Sequence, residues 1–301
     1  MTKILVIGAG AIGCFYASKL ANQGVEIVLW CRSNYDFIKK NGLEIESYLG
    51  NYHFIPYRVL KNLDEADDDF DYILIATKNL PSIDISQLIL KILKPKTKII
   101  LFQNGIHIEN NLAKNFANHE IISAIAFIAV SRKFPNIIHH QDYGKLTVGT
   151  YNNKASKYVY FLADLWKKAG IEVEVSDNIL QERWKKLVWN GAFNPLSVIL
   201  RSKNTAEILN NHLALDLVKN IMNEIIDLAH ADNCELSKDI IEKNIIATKK
   251  MKPYKTSMLL DFEAGREMEI EAILGNAIKF AKSKSFLTPY LSTIYAIISN
   301  Y

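Results

Sequence analysis

Cysteine is scarce. Three of the 301 residues carry a thiol, Cys14, Cys31 and Cys234, and their spacing matches no metal-ligand pattern. An odd, scattered set argues against a disulfide framework and is expected of a reducing cytoplasm. Long hydrophobic runs are also missing, so no stretch is expected to span a membrane. The apolar N-terminus shows no cleavage site and leads straight into a glycine turn, which marks it as a first strand rather than a signal peptide. Neither sign of charge dominates: 36 Lys and Arg stand against 32 Asp and Glu, for a net charge of +4. That balance suits an anionic small molecule and gives little support to a nucleic-acid partner. Internal repeats and low-complexity segments are absent too. At 49% hydrophobic and 23% charged residues, the chain reads as soluble, globular and long enough for two domains.

The stretch that organises the chain lies at its start. Lys3-Ile4-Leu5-Val6-Ile7 is a short β-branched run, followed by Gly8-Ala9-Gly10-Ala11-Ile12-Gly13. A helical segment from Cys14 to Ala21 ends at Gly24, and Val25 to Trp30 reads as a second strand. A G-x-G-x-x-G turn has meaning only in this strand–turn–helix–strand setting. Gly8 permits the tight turn, Gly10 lets the backbone approach a pyrophosphate, and Gly13 allows close packing of the helix. The helix start offers free N–H groups and a positive dipole end to phosphates.

The end of the second strand selects the cofactor. An NAD site usually carries Asp or Glu there, to bond the ribose 2′-OH. This chain has Trp30-Cys31-Arg32-Ser33-Asn34, with no carboxylate before Asp36. Arg32 can pair with a 2′-phosphate and Ser33 and Asn34 can donate to it, which favours NADP(H). The alternative is a solvated surface arginine.

Further along, 36–41 reads as a short helix capped by Gly42, and 43–60 as edge strands. The acidic run 64–69 is a solvated loop. Asp71 to Lys78 reads as a buried strand ending in a polar corner, where Lys78 is either a ligand contact or an ordinary loop lysine. Pro81 to Leu93 is expected to be helical. After the strand 98–102, Asn104-Gly105 reads as a turn or a binding corner at the same sheet edge. Strands are expected over 121–130 and 137–148; the His139-His140 pair points to opposite faces and makes a poor metal pair. An amphipathic helix over 156–169, stopped by Gly170, and a strand over 171–175 complete this half. The expected fold is α/β: a Rossmann-type dinucleotide-binding domain over residues 1–176 and an all-helical domain over 177–301.

In the helical half, Lys186, Asn190 and Asn194 recur every four residues and share one helix face. Two asparagines at such positions are mediocre helix formers. The stripe reads equally as the lining of a polar cleft or as a solvated face. Pro195 predicts a kink or break near Asn194. Ser257 begins what reads as one long helix running to about Lys282, with Ser257, Asp261, Glu269 and Ile270 close in helical phase. Periodicity alone favours a surface role for Glu269.

These residues together carry a resemblance. The glycine turn, Arg32, Lys78, Asn104-Gly105, the run Trp184-Lys-Lys-Leu-x-x-Asn190-x-x-x-Asn194-Pro-Leu, and Thr256-Ser257-Met258-Leu259 with a later Glu269 resemble the ketopantoate reductase (2-dehydropantoate 2-reductase) family, over essentially the whole chain. The two helix motifs are the specific part; the glycine turn is common to many dehydrogenases. By position, the resemblance implies Lys186 as catalytic lysine and Glu269 as active-site glutamate. It implies cofactor contacts at Gly8 to Gly13, Arg32, Lys78 and Asn104, and substrate contacts at Asn104, Lys186, Asn190, Asn194, Asn204 and Ser257. The chain departs at Tyr254, where some members carry asparagine.

The implied activity is NADPH-dependent reduction of 2-dehydropantoate to (R)-pantoate, a step toward pantothenate and coenzyme A, in a cleft between the domains that closes on NADPH. The implied partners are a 2-oxo acid and NADP(H), with no metal, nucleic acid or membrane, in a cytoplasmic monomer or homodimer. In that scheme Lys186 stabilises the developing oxyanion and supplies its proton. Asn190 and Asn194 keep register, Ser257 bonds the substrate carboxylate, and Glu269 accepts the distal hydroxyl and pairs with Lys186. Two rivals remain: another NADP-dependent 2-oxo acid reductase, and a non-catalytic NADP(H)-binding sensor on the same fold.

Overall fold

The computed structural model describes residues 1–133, 135–152, 156–201 and 204–301. The chain divides into two compact units. The first comprises Met1–Lys78, Asp84–Gln103 and Glu109–Ile179, and the second Asn79–Ile83, Asn104–Ile108 and Leu180–Tyr301. Two short segments, 79–83 and 104–108, fall in the strand-rich half of the sequence yet cluster with the helical unit.

The first unit is built on one twisted sheet. Its strands are β1 (Lys3–Ile7), β2 (Glu26–Trp30), β3 (Leu43–Ser47), β4 (Tyr52–Phe54), β5 (Arg58–Leu60), β6 (Tyr72–Ile75), β7 (Lys98–Leu101), β8 (Ile121–Lys133), β9 (Ile137–Thr150) and β10 (Val173–Val175). The order is β4-β3-β9-β8-β7-β6-β1-β2-β5, with β10 paired to β9. Strands β5, β2, β1, β6, β7 and β8 run parallel. Their near-continuous apolar runs follow from burial on both faces, as a parallel sheet with crossover helices requires. The segment 43–60 supplies both sheet edges: β4 closes one and β5 the other. The helices are α1 (Ala11–Ala21), α2 (Tyr35–Asn41), α3 (Ile85–Leu90), α4 (Asn110–Asn115) and α5 (Lys157–Lys168).

Local chemistry sets several of these boundaries. Gly42 and Gly170 take positive φ just beyond α2 and α5, a backbone turn that glycine makes without a Cβ penalty and that stops each helix. Ser156 caps α5 by accepting from the Tyr158 and Val159 amides. The helix expected from Pro81 begins only at Ile85, because Asp84 caps it through the Ser86 and Gln87 amides. His140 is buried in the sheet, with its ring nitrogens on Ser47 Oγ and the Tyr143 carbonyl, so it is a packed core histidine.

The second unit is helical, with α6 (Ile179–Ile199, its first residue excepted), α7 (Thr205–Asn210), α8 (His212–Ala231), α9 (Asp239–Lys250), α10 (Ser257–Glu263), α11 (Asn276–Ser283) and α12 (Pro289–Ile298). It has its own core, in which Trp184, Val188, Phe193, Ile221, Met222 and Ile225 are fully buried. Among the described residues no helix is long and apolar enough to cross a membrane.

Two expectations for this unit are corrected. The segment 257–282 is not one helix. Gly265, at φ +62°, ends α10, and the Arg266 amide closes back on the Asp261 carbonyl. Residues 266–269 then run without helical structure, and a π-helical turn, Glu271–Gly275, leads into α11. Glu269 is therefore on a connecting segment and not in phase with Ser257 on a helix. Nor does α6 break at Asn194. It continues through Pro195 to Ile199, and the Asn194 carbonyl accepts the Ser197 hydroxyl.

Candidate active site

In the first unit, strand order reverses on either side of β1: the chain passes from β1 to β2 on one side and returns to β6 on the other. Ligands bind beyond the carboxyl ends of strands at such a switch point. The glycine turn leaves β1 there, and the Thr77–Lys78 segment leaves β6 beside it. The three glycines have different reasons to be glycine. Gly8 has φ +108°, and a Cβ there would overlap the backbone of Ala76 and Thr77. A Cβ on Gly13 would overlap the Gly8 carbonyl. Gly10 has an ordinary extended φ of −82°, and among the described residues no atom beyond its chain neighbours lies within 4 Å of where its Cβ would be. The fold does not require glycine at position 10. The space it leaves open is a cradle at the N-terminus of α1, which fits the diphosphate of a dinucleotide.

Arg32 is exposed just past β2, its guanidinium 6.0 Å from the centre of the Trp30 ring. Lys78 is half-buried, and its carbonyl accepts from Gln103 Nε2 at 3.3 Å. Arg132, near the end of β8, also reaches this corner: Nη1 donates to the Ala9 carbonyl and Nη2 to the Pro135 carbonyl at 3.1 Å. No local pattern pointed to Arg132, which lies 123 residues from the turn it touches.

In the second unit the centre is Lys186. Its Nζ donates to Asn104 Oδ1 at 2.8 Å. The Asn104 amide nitrogen in turn makes a long hydrogen bond, 3.4 Å, to Glu269 Oε2. Glu269 Oε1 accepts the Asn79 backbone N–H at 2.9 Å. Three residues named from sequence thus converge, with Asn104 linking the lysine to the glutamate. Burial lowers Lys186 to about 8, the Arg183 guanidinium one turn earlier on α6 pushes the same way, and the Glu269 carboxylate opposes both. Asn79 and Arg183 were missed in the sequence, although Arg183 is three residues before Lys186 and so on the same helix face.

The segment 104–108 that carries Asn104 is held from several sides. Gly105, at φ +110°, packs so closely on Ala272 that a Cβ would overlap its carbonyl. The Ile106 amide donates to that carbonyl at 3.2 Å, from a π-helical turn. Asn276 Nδ2 donates to the Ile106 carbonyl at 3.0 Å, and Arg183 Nη1 to the Gly105 carbonyl at 3.3 Å. His107 takes a positive φ of 56° and places Nε2 2.7 Å from Asp232 Oδ2, which also accepts Trp184 Nε1 at 2.8 Å.

The remaining residues are placed less centrally. Asn190 is half-buried on α6. Asn194 is 1% exposed, and among the described residues its Nδ2 has no hydrogen-bond partner, which is costly for a buried amide. Asn204 caps α7, its Oδ1 accepting from the Ala206 and Glu207 amides. Ser257 is exposed at the first turn of α10, next to the capping Thr256. Tyr254 stacks on Trp189, with ring centres 6.1 Å apart.

Comparison with known proteins decides the family. The description "Ketopantoate reductase PanE/ApbA" matches residues 4–153, and "Ketopantoate reductase PanE/ApbA C terminal" matches 178–301. The chain belongs to the ketopantoate reductase family. Membership makes it an oxidoreductase that uses a nicotinamide dinucleotide. The crystal structure of 2-dehydropantoate 2-reductase from Methylococcus capsulatus is 42% identical, with a TM-score of 0.92 over 99% of this chain and 96% of that one. The 2-dehydropantoate 2-reductase of Nostoc sp. is 29% identical over 97% of this chain and 93% of the relative. The ternary structure of D-mandelate dehydrogenase with NADH and anilino(oxo)acetate shares the fold, at 24% identity and a TM-score of 0.90 over 99% of this chain and 98% of that one. The α/β architecture with a helical C-terminal half is that of ketopantoate reductases.

Proposed function

We propose that this ketopantoate reductase family member reduces 2-dehydropantoate to (R)-pantoate with NADPH. The observation that carries the reading is the linked set Lys186, Asn104 and Glu269. When bound, the reduced nicotinamide supplies a hydride to the ketone carbon. Negative charge then develops on the carbonyl oxygen. The Lys186 ammonium stabilises that charge and passes its proton to the oxygen, leaving a neutral amine and a hydroxyl. A lysine near pKa 8 is a better acid at neutral pH than an ordinary one, yet is still largely protonated there.

Asn104 fixes the direction of the lysine through its side-chain oxygen. Glu269, held by the Asn79 amide, accepts the distal hydroxyl of the substrate. An acceptor placed there favours a hydroxyl-bearing 2-oxo acid over a plain one, since an unmatched carboxylate costs binding energy. Ser257 serves the substrate carboxylate. Asn194, whose amide nitrogen has no partner among the described residues, supplies the remaining polar contacts together with Asn190 and the Asn204 amide nitrogen.

Arg32, with no carboxylate near it before Asp36, supports a 2′-phosphate and hence NADPH over NADH. Lys78 completes the cofactor contacts. A second reading, a different 2-oxo acid with the same machinery, is favoured by Tyr254, whose ring packs on Trp189 where an asparagine is the family alternative. Steady-state rates on 2-dehydropantoate beside 2-oxoisovalerate and phenylglyoxylate, each with NADPH and NADH, test both. Preference for 2-dehydropantoate with NADPH supports the first reading; preference for phenylglyoxylate supports the second.

A further inference from the structure

The β8–β9 hairpin does more than extend the sheet. Among the described residues, strand β8 pairs with β7 through Ile121, Ile122 and Ser123, and beyond that with β9 alone. Its register shifts twice, at Phe127/Ile128 and at Ala129/Val130. Such bulges bend a strand pair and sharpen its twist. At the far end of the hairpin Arg132 meets the glycine turn. Its two terminal nitrogens reach different partners, the Ala9 carbonyl in the turn and the Pro135 carbonyl near the hairpin tip. Asn34, just past β2, donates to the same Pro135 carbonyl at 3.2 Å. One guanidinium and one carbonyl thus tie the hairpin to both βα corners that flank the dinucleotide cradle. Arg132 is half-buried, and its charge is felt by Cys14 in the first turn of α1 and by Cys31 beside Arg32.

We infer that Arg132 is a positioning residue for the dinucleotide diphosphate. It holds the Ala9 carbonyl so that the following amides of the α1 N-terminus stay aimed at the phosphates, and it adds a fixed positive charge behind that turn. The inference rests on the dinucleotide binding described above but not on the choice of substrate. Because Arg132 bonds the turn and not the Arg32 side chain, its contribution is common to NADPH and NADH.

Equilibrium binding of NADPH, NADH and ADP-ribose to the wild type, Arg132→Ala and Arg132→Lys tests this, by nicotinamide fluorescence or calorimetry below each protein's melting temperature. In Arg132→Ala, all three ligands weaken by a similar factor, about ten- to a hundredfold, as expected for loss of a charge-assisted bond. Arg132→Lys keeps the charge but not the two-pronged reach, and falls between. A loss confined to NADPH would make Arg132 a reader of the 2′-phosphate and overturn the inference. So would variants that bind all three ligands as the wild type does. Should Arg132→Ala fail to fold, Arg132→Lys decides alone by the same criteria. A wild type that binds none of the three would instead refute the dinucleotide reading itself.

Discussion

Lys186 on α6 and Asn104 on the segment after β7 are 82 residues apart in sequence and joined by a 2.8 Å hydrogen bond, lysine to amide oxygen. Asn104 thereby governs where the ammonium points. Replacing it with alanine leaves Lys186 without that acceptor. The expected result is a fall in kcat of roughly ten- to a hundredfold, the scale of a lost bond to a charged group. Pre-steady-state hydride transfer measured on Asn104→Ala checks this.

The pH dependence follows from the same lysine. Lys186 donates a proton only as an ammonium, and its pKa is about 8. The rate therefore holds below that value and declines as pH rises through it. The Glu269 carboxylate favours the ammonium, so Glu269→Gln moves the basic limb of the kcat/KM profile to lower pH. A limb that stays in place would separate Glu269 from Lys186. Stability carries the opposite sign from the usual lysine pair. A pKa lowered from 10.5 to about 8 means the unfolded chain binds more protons between those values, so stability rises with pH across that window. Denaturant midpoints of wild type and Lys186→Met at pH 7.5 and 10 read the difference.

Gly10 and Gly13 separate binding from folding. Position 10 opens onto empty space, whereas position 13 packs on the Gly8 carbonyl. Gly10→Ala is expected to keep its melting temperature and lose cofactor affinity. Gly13→Ala is expected to lose both. Thermal melts and NADPH titrations of the two variants, run side by side, distinguish the roles.

His107 pays for its left-handed backbone through Asp232. A non-glycine residue there costs of order 1 kcal/mol or more unless its surroundings hold it. His107→Asn tolerates that conformation and keeps a polar end, whereas His107→Val does not. The valine variant is expected to lose kcat by several-fold through misplacement of Asn104 and to melt lower, with the asparagine variant close to wild type on both counts. Equal behaviour of the two variants in kcat and melting temperature would count against this role.

The glycine turn was legible in the sequence because strand, turn and helix are contiguous and each carries a local signature. Gly42 and Gly170 were legible for the same reason. The place of Glu269 between helices is hidden because an acid-rich helical pattern runs on either side of it, and one left-handed glycine, Gly265, outweighs that pattern. The helix from Pro81 was read too long because Asp84 wins as the cap. The contacts that make the site are long-range. Asn79 holding Glu269, Asn104 joining Lys186 and Arg132 meeting Ala9 depend on strand order and hairpin bending, which no local pattern encodes.

If Lys186 drives NADPH-dependent reduction of 2-dehydropantoate, reduced-nicotinamide absorbance falls with that substrate in the wild type and about a hundredfold or more slowly in Lys186→Ala, with little change in NADPH affinity measured in parallel. Undiminished turnover in Lys186→Ala would contradict that role.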